Sequence, residues 1–147
     1  MKNLTLEHIA DCCHGTYIGP EEQRNFEVTG VVIDSRKAEA GNLFVAIKGE
    51  RVDGHTFIDA VYGQGAAAVV SEQRLEVPKG PYILVESTAQ ALKDIAAFYR
   101  DSLDIKVVGI TGSVGKTSTK EMIASVLSEK YRVLKTAGNF NNEIGLP

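Results

Sequence analysis

A glycine-rich stretch in the second half of the chain carries the residues best suited to bind phosphate. It reads Val108-Gly-Ile-Thr-Gly-Ser-Val-Gly-Lys-Thr-Ser-Thr119 and follows an apolar run. Small residues let successive backbone N–H groups converge on anionic oxygens, and a helix that begins there directs the positive end of its dipole at them. The pattern therefore predicts a loop that binds the phosphates of a nucleotide.

Individual residues of this loop have expected roles. The Lys116 ammonium would reach the β and γ phosphates and the Thr117 hydroxyl would bind Mg²⁺, which makes these two the candidate catalytic residues and Thr117 the candidate metal ligand. The common phosphate-loop pattern has glycine where this chain has Ile110, so the loop is a tighter variant. The residues expected to bind ATP are Gly112, Ser113, Val114, Gly115, Lys116, Thr117 and Ser118.

The elements around the loop are those that such a site needs. An apolar, β-rich run precedes it, apolar residues recur at helical spacing after it, and a second β-rich run follows. A strand-to-helix turn without a ligand is the alternative, but Gly-Lys-Thr at a helix start argues against it. The expected elements are a strand at 106–111, a helix to about residue 130 and a strand at 131–135.

Helical and strand patterns alternate along the rest of the chain. This alternation predicts an α/β fold with a largely parallel sheet. Ser87 followed by Gln90 predicts a capping box at the start of a helix. A turn-rich patch at 76–81 marks the expected boundary between domains 1–81 and 82–147. The other expected elements are helices at 6–15 and 55–62 and strands at 27–33, 42–47, 66–70 and 82–85.

Composition limits the classes of protein that the chain can belong to. With 147 residues, 44% of them hydrophobic and 24% charged, it is typical of a globular protein. The net charge of −3 argues against a nucleic-acid surface. No apolar run approaches the roughly 18 residues of a membrane span. Cys12 and Cys13 are adjacent and are expected to be free thiols. We therefore expect a cytoplasmic protein with no membrane span.

Several segments, in order, resemble the ATP-dependent Mur ligases of peptidoglycan synthesis. The loop form Ile-Thr-Gly-Ser-x-Gly-Lys-Thr is shared with folylpolyglutamate synthetases, so it indicates only the superfamily. The run Gly138-Asn-x-Asn-Asn, with Ile144-Gly-x-Pro147, is similar to the members that use D-alanyl-D-alanine. The resemblance covers nearly the whole chain, and its other segments are 34–36, 41–49, 53–57 and 65–68.

This resemblance implies a function for the whole enzyme. ATP, with Mg²⁺, would activate the carboxylate of UDP-N-acetylmuramoyl-tripeptide as an acyl phosphate, and the amine of D-alanyl-D-alanine would attack it. Residues 1–81 resemble a small UDP-binding domain, and 82–147 resemble only the opening of the central ATP-binding domain. Further Mg²⁺ ligands, including a carbamylated lysine, would lie beyond Pro147. The chain alone is expected to be inactive, and its second part to be less stable than the first or protected by an oligomer contact.

The resemblance also implies substrate-binding residues, and other functions stay open beside it. An exposed polar turn at 34–36, a solvent-exposed His55 and a simple asparagine-rich loop at 139–142 are the structural alternatives. The functional alternatives are another Mur-type amide ligase, a folylpolyglutamate synthetase, and a phosphate-loop NTPase or kinase, which would leave the first 81 residues unexplained. The expected substrate-binding residues are Ser35, Arg36, Lys48, Asp53, His55, Asn139, Asn141 and Asn142.

Overall fold

The computed structural model of the chain describes residues 1, 3–49 and 52–136. The chain forms two compact units, Met1–Leu103 and a second that begins at Asp104. Within the described ranges, no helix is both long and apolar enough to cross a membrane.

The first unit is built on a five-stranded sheet with the order β1-β5-β4-β3-β2. Strands β2 to β5 run parallel, and β1 pairs antiparallel with β5, with Thr16 opposite Leu84. The prediction of an α/β fold with a largely parallel sheet is confirmed. The strands are β1 (Thr16–Ile18), β2 (Gly30–Val32), β3 (Asn42–Val45), β4 (Ala68–Ser71) and β5 (Tyr82–Leu84).

Helices cover both faces of this sheet, and the strand periodicity explains why. Strand β3 is buried along its whole length, with Leu43 and Val45 in one core and Phe44 in another. Because side chains alternate across a strand, such a run requires cover on both sides. Helices α1 and α3 contribute to the first core and α2 to the second. The helices of this unit are α1 (Leu6–Cys12), α2 (Ile58–Gly63) and α3 (Thr88–Asp101).

Of the two hydrogen bonds of the capping box predicted at the start of α3, one is present. The Ser87 hydroxyl accepts a hydrogen bond from the backbone N–H of Gln90 at 3.3 Å. The Gln90 side chain instead donates to Asp94 at 2.8 Å, one helical turn further on. Ser87 therefore satisfies an N-terminal N–H group of α3 without the reciprocal bond of a full capping box.

Replacing Ser87 with alanine is expected to lower the free energy of unfolding by about 1 kcal/mol, because the Gln90 N–H loses its acceptor. Ser87→Asp is the matched control, since a carboxylate oxygen can accept the same bond. Urea denaturation followed by circular dichroism would measure both variants. Equal stability of the alanine and aspartate variants would contradict the capping role.

The structure differs from the predictions in the lengths and number of several elements. Strand β1 was not predicted, and the helix predicted at 55–62 is a 3₁₀ turn, Gly54–Phe57, followed by α2. No strand is present in the described part of the second unit, residues 104–136, so those predicted at 106–111 and 131–135 do not form there. Strand propensity needs a hydrogen-bonded neighbour to become a strand.

The boundary between the compact units follows Leu103, whereas the sequence placed a domain boundary after residue 81. Strand β5 pairs with both β1 and β4, and α3 packs on α1. Residues 82–103 therefore complete the sheet of the first unit. The turn-rich patch lies within that unit, between β4 and β5, because a surface loop within a domain carries the same turn residues as a linker.

Candidate substrate and nucleotide sites

Five of the predicted substrate-binding residues follow parallel strands of the first unit. Ser35 and Arg36 come shortly after β2, while Lys48, Asp53 and His55 come after β3, its immediate neighbour. Since the carboxyl ends of parallel strands meet at one edge of the sheet, the fold brings both groups to the edge where open α/β sheets bind their ligands.

The segment after β2 is a 3₁₀ turn, Ser35–Lys37, capped by Asp34. The Asp34 carboxylate accepts from the Arg36 backbone N–H at 3.0 Å, and from Nε and Nη2 of its guanidinium at 2.9 and 2.8 Å. The Arg36 side chain is nevertheless 86% exposed. Asp34 thus orients the guanidinium of Arg36. The remaining N–H groups of the guanidinium face solvent and could donate to an anion.

We expect Asp34 to stay ionised well into the acid range. The Arg36 side chain and backbone N–H lower the pKa of Asp34 from 3.8 to about 2. A lowered folded-state pKa means that the pair contributes to stability above about pH 4, and that this contribution is lost as the pH falls through about 2. Carboxyl ¹³C chemical shifts measured against pH would give the pKa of Asp34, and Arg36→Gln should raise this pKa towards the ordinary value for an aspartate. Lys37→Gln, the control, should move it less, because Lys37 is the weakest cause.

The segment after β3 turns back on itself. Lys48 and Asp53 form an isolated antiparallel bridge, and the Gly49 N–H donates to Val52 O at 2.9 Å. The Gly54 N–H donates to Ile47 O, also at 2.9 Å. These bonds place the Asp53 carboxylate beside the 3₁₀ turn that follows, while the Lys48 side chain lies at the surface.

His55 is held inside the protein and is not the solvent-exposed residue of the structural alternative. Its side chain is only 5% exposed. Nδ1 lies 2.6 Å from Asp53 Oδ1, and Nε2 lies 3.1 Å from the backbone nitrogen of Glu72. Because a backbone N–H can only donate, Nε2 is the acceptor and the ring proton is on Nδ1, shared with Asp53. The bonds with His55 also lower the pKa of Asp53.

Glu72 and Thr88 were missed by the sequence analysis. The Thr88 N–H and hydroxyl both donate to Glu72 Oε1, at 2.7 and 2.9 Å, and Thr88 is fully buried. Glu72 directly follows β4, just as Asp34 follows β2 with only Ile33 between. A charged residue directly after a buried strand was the signal that could have found it.

The second unit presents the phosphate loop at the start of α4 (Lys116–Ser128). Gly115 caps this helix with φ +82°, and Gly112 has φ +149°. A Cβ at Gly115 would meet no atom within 4 Å, so the backbone conformation and not crowding requires glycine there. The Lys116 ammonium donates to Gly112 O at 2.6 Å. An open loop at the N-terminus of a 13-residue helix, with a lysine folded over it, fits the phosphates of ATP.

One side chain of this unit, that of Thr117, was predicted from the sequence to bind Mg²⁺. Thr117 is the second residue of α4 and offers one hydroxyl oxygen beside the expected phosphate position. Within residues 1, 3–49 and 52–136, no group of three or more His, Cys, Asp or Glu residues could hold a metal ion. The predicted substrate residues Asn139, Asn141 and Asn142 lie outside the described residues.

Family models identify the class of protein that this fold and these sites define. The model for the Mur ligase family, catalytic domain, matches residues 27–100, and that for the Mur ligase middle domain matches residues 110–147. The chain belongs to the Mur ligase family.

Two curated relatives of the chain carry the same enzyme name. The chain is 44% identical to UDP-N-acetylmuramoyl-tripeptide–D-alanyl-D-alanine ligase of Bacillus subtilis (strain 168), and 40% identical to that of Escherichia coli (strain K12). Each match covers 100% of this chain but only 32% and 31% of those proteins. The chain thus spans about a third of the length of its curated relatives.

Solved structures of MurF from two organisms also match the chain. A crystal structure of MurF from Acinetobacter baumannii matches with a TM-score of 0.86 at 34% identity, over 97% of this chain and 31% of that one. MurF ligase from Thermotoga maritima in complex with ADP matches with a TM-score of 0.73 at 41% identity, over 79% of this chain and 27% of that one.

Proposed function

We propose that this chain provides the UDP-substrate-binding part, and the beginning of the ATP-binding part, of an ATP-dependent ligase. The enzyme would join D-alanyl-D-alanine to UDP-N-acetylmuramoyl-tripeptide through an acyl phosphate, in the cytoplasm, where ATP is available. One chain contains both polar residues at the carboxyl ends of parallel strands and a phosphate loop, and this observation carries the proposal. The sequence is also 44% identical to a UDP-N-acetylmuramoyl-tripeptide–D-alanyl-D-alanine ligase.

We assign the UDP-linked substrate to the unit Met1–Leu103. Arg36 supplies an oriented guanidinium and Lys48 an exposed ammonium, which suit the diphosphate of the substrate. The Ser35 hydroxyl can donate to or accept from the nucleotide. Asp53 and His55 form hydrogen bonds with each other, so we propose that they stabilise the conformation of the segment that carries Lys48. The asparagines at 139, 141 and 142, which lie outside the described residues, stay proposed substrate contacts.

We assign ATP to the loop of the second unit. Phosphoryl transfer requires positioned phosphates and neutralised charge more than covalent participation by the protein. The backbone N–H groups of residues 112–118 and the Lys116 ammonium suit the phosphates, and the Thr117 hydroxyl suits Mg²⁺ bound to them. ATP supplies the phosphoryl group that activates the carboxylate of the UDP-linked substrate. D-alanyl-D-alanine would bind mainly to parts of the enzyme outside this chain.

An amide-resolved NMR titration of this chain tests the proposal. We expect UDP-N-acetylmuramoyl-tripeptide to shift the resonances of residues 30–57 and Mg·ATP to shift those of residues 109–118. A folded chain that responds only to ATP would refute the proposed binding of the UDP-linked substrate by the first unit. We expect no turnover by this chain alone, and phosphate release in the presence of ATP and both substrates would contradict that expectation.

A further inference from the structure

Three hydrogen bonds connect the segments that follow three successive strands of the first unit, and a fourth lies within the first of these segments. Asp53 and His55 belong to the loop after β3, Glu72 follows β4, and Thr88 follows β5. The His55 ring bonds to Asp53 and to the Glu72 backbone, and the Glu72 side chain bonds twice to Thr88. We call this series the loop anchor.

The end of the loop anchor at α3 is buried. Thr88 is the first residue of α3 and is fully buried. Its N–H and hydroxyl converge on the single oxygen Oε1 of Glu72, at 2.7 and 2.9 Å. A carboxylate beside a helix N-terminus is also favoured by the helix dipole. Glu72 is therefore fixed to a helix that is packed into the core.

The middle of the loop anchor is a turn whose first residue, Ser71, is buried. The Ser71 hydroxyl accepts from the Gln73 N–H at 2.9 Å and donates to Gln73 O at 2.8 Å, and Ser71 is fully buried. The intervening Glu72 N–H is thereby directed at His55 Nε2, 3.1 Å away. That bond requires the tautomer with the proton on Nδ1, which in turn bonds to Asp53.

We infer that Glu72 and Thr88 are positioning residues for Lys48 and Asp53, and that they act through His55. This inference rests on the proposed function. The bond that links the segment after β3 to the rest of the loop anchor runs to the residue after β4, whereas Ser35 and Arg36 follow β2, on the other side of β3. The anchor thus fixes the loop that carries Lys48 from behind and leaves the side towards Arg36 for the substrate. Such preorganisation increases affinity by reducing the ordering that binding requires.

Two pairs of variants test the anchor. His55→Asn keeps a donor near Nδ1 but loses the acceptor for the Glu72 N–H, while the longer amide of His55→Gln can place an oxygen there. Thr88→Val loses the hydroxyl bond to Glu72, and Thr88→Ser keeps it. Calorimetric titration with UDP-N-acetylmuramoyl-tripeptide, well below each variant's melting temperature, should show about tenfold weaker binding for His55→Asn and about threefold for Thr88→Val. His55→Gln and Thr88→Ser should recover most of that loss, and Mg·ATP binding should not change.

Unchanged substrate affinity in both His55→Asn and Thr88→Val, with binding intact in the parent chain, would overturn the inference, since a purely structural role changes melting temperature alone. A second measurement does not depend on substrate. Long-range ¹H–¹⁵N spectra of the unliganded chain should show His55 protonated at Nδ1 and not at Nε2, and His55→Asn should reduce the exchange protection of the Gly49 and Gly54 amides. A proton on Nε2 overturns the inference. The expected tautomer and protection change in a parent chain that does not bind the UDP-linked substrate would support the anchor and refute the proposed function.

Discussion

Replacing Lys116 with alanine is expected to lower the affinity of the chain for Mg·ATP by at least about tenfold. The lysine is the first residue of α4, and its ammonium folds over the loop to Gly112 O. A charged donor that exchanges this carbonyl for nucleotide phosphate gains a charge-assisted hydrogen bond, and such bonds contribute about 1.5–3 kcal/mol. Calorimetric titration with Mg·ATP would measure the loss directly.

Lys130→Ala is the matched control for this experiment. Lys130 lies just beyond the other end of α4, with its ammonium 5.7 Å from the Tyr131 ring centroid. Removing it changes the net charge by the same amount without touching the phosphate loop, so the affinity should stay within about twofold of the parent. Equal losses in the two variants would indicate a general electrostatic effect and contradict a specific role for Lys116.

Gly54→Ala is expected to destabilise the first unit by about 1–3 kcal/mol, the usual cost of overpacking a close contact. A Cβ at this position would lie 2.8 Å from both the nitrogen and the oxygen of Ile47, and 3.0 Å from the carbonyl carbon of Ala46. These are backbone atoms at the end of the segment after β3, so no side chain can rotate to make room. A shift of Gly54 also displaces Asp53 and His55, so substrate affinity should fall together with stability.

The control here is Gly63→Ala, at the last residue of α2. A Cβ there would meet no atom within 4 Å. Alanine is favoured over glycine in a helix, so this variant should be as stable as the parent or more stable by about 0.5 kcal/mol. Thermal denaturation would compare the two variants. If the Gly54→Ala and Gly63→Ala variants had the same melting temperature, the backbone around Ile47 would accommodate the added Cβ without a loss of stability.

The sequence predicted strands β3 and β4, which are buried on both faces, but not the edge strand β1. Strands β3 and β4 lie in continuous apolar runs because helices cover them on both sides. Strand β1 has three residues, none of them buried, and among the described strands it pairs with β5 alone. Nothing in so short a segment distinguishes it from a loop, since the partner that makes it a strand lies far along the chain.

The candidate sites show the same division between local and distant information. The conformation of the phosphate loop depends on neighbouring residues, and Gly115 and Lys116 lie at the start of a helix as predicted. The bond between Asp53 and His55 joins residues two positions apart. The bond between His55 and Glu72 joins residues 17 positions apart, and only the pairing of β3 with β4 brings them together. Side chains that act through such a crossover are not visible in a local pattern.

The place of β1 in the sheet has a consequence for the order in which the first unit is assembled on the ribosome. Thr16 is synthesised early, but its partner Leu84 emerges 68 residues later, and α1 likewise awaits α3. Closure of the sheet is therefore a late event with a large loop to close, which slows folding. Until β5 arrives, a nascent chain with β2, β3 and β4 already paired exposes the hydrogen-bonding edge of β4. That edge is where we expect the growing chain to need protection from pairing with other chains.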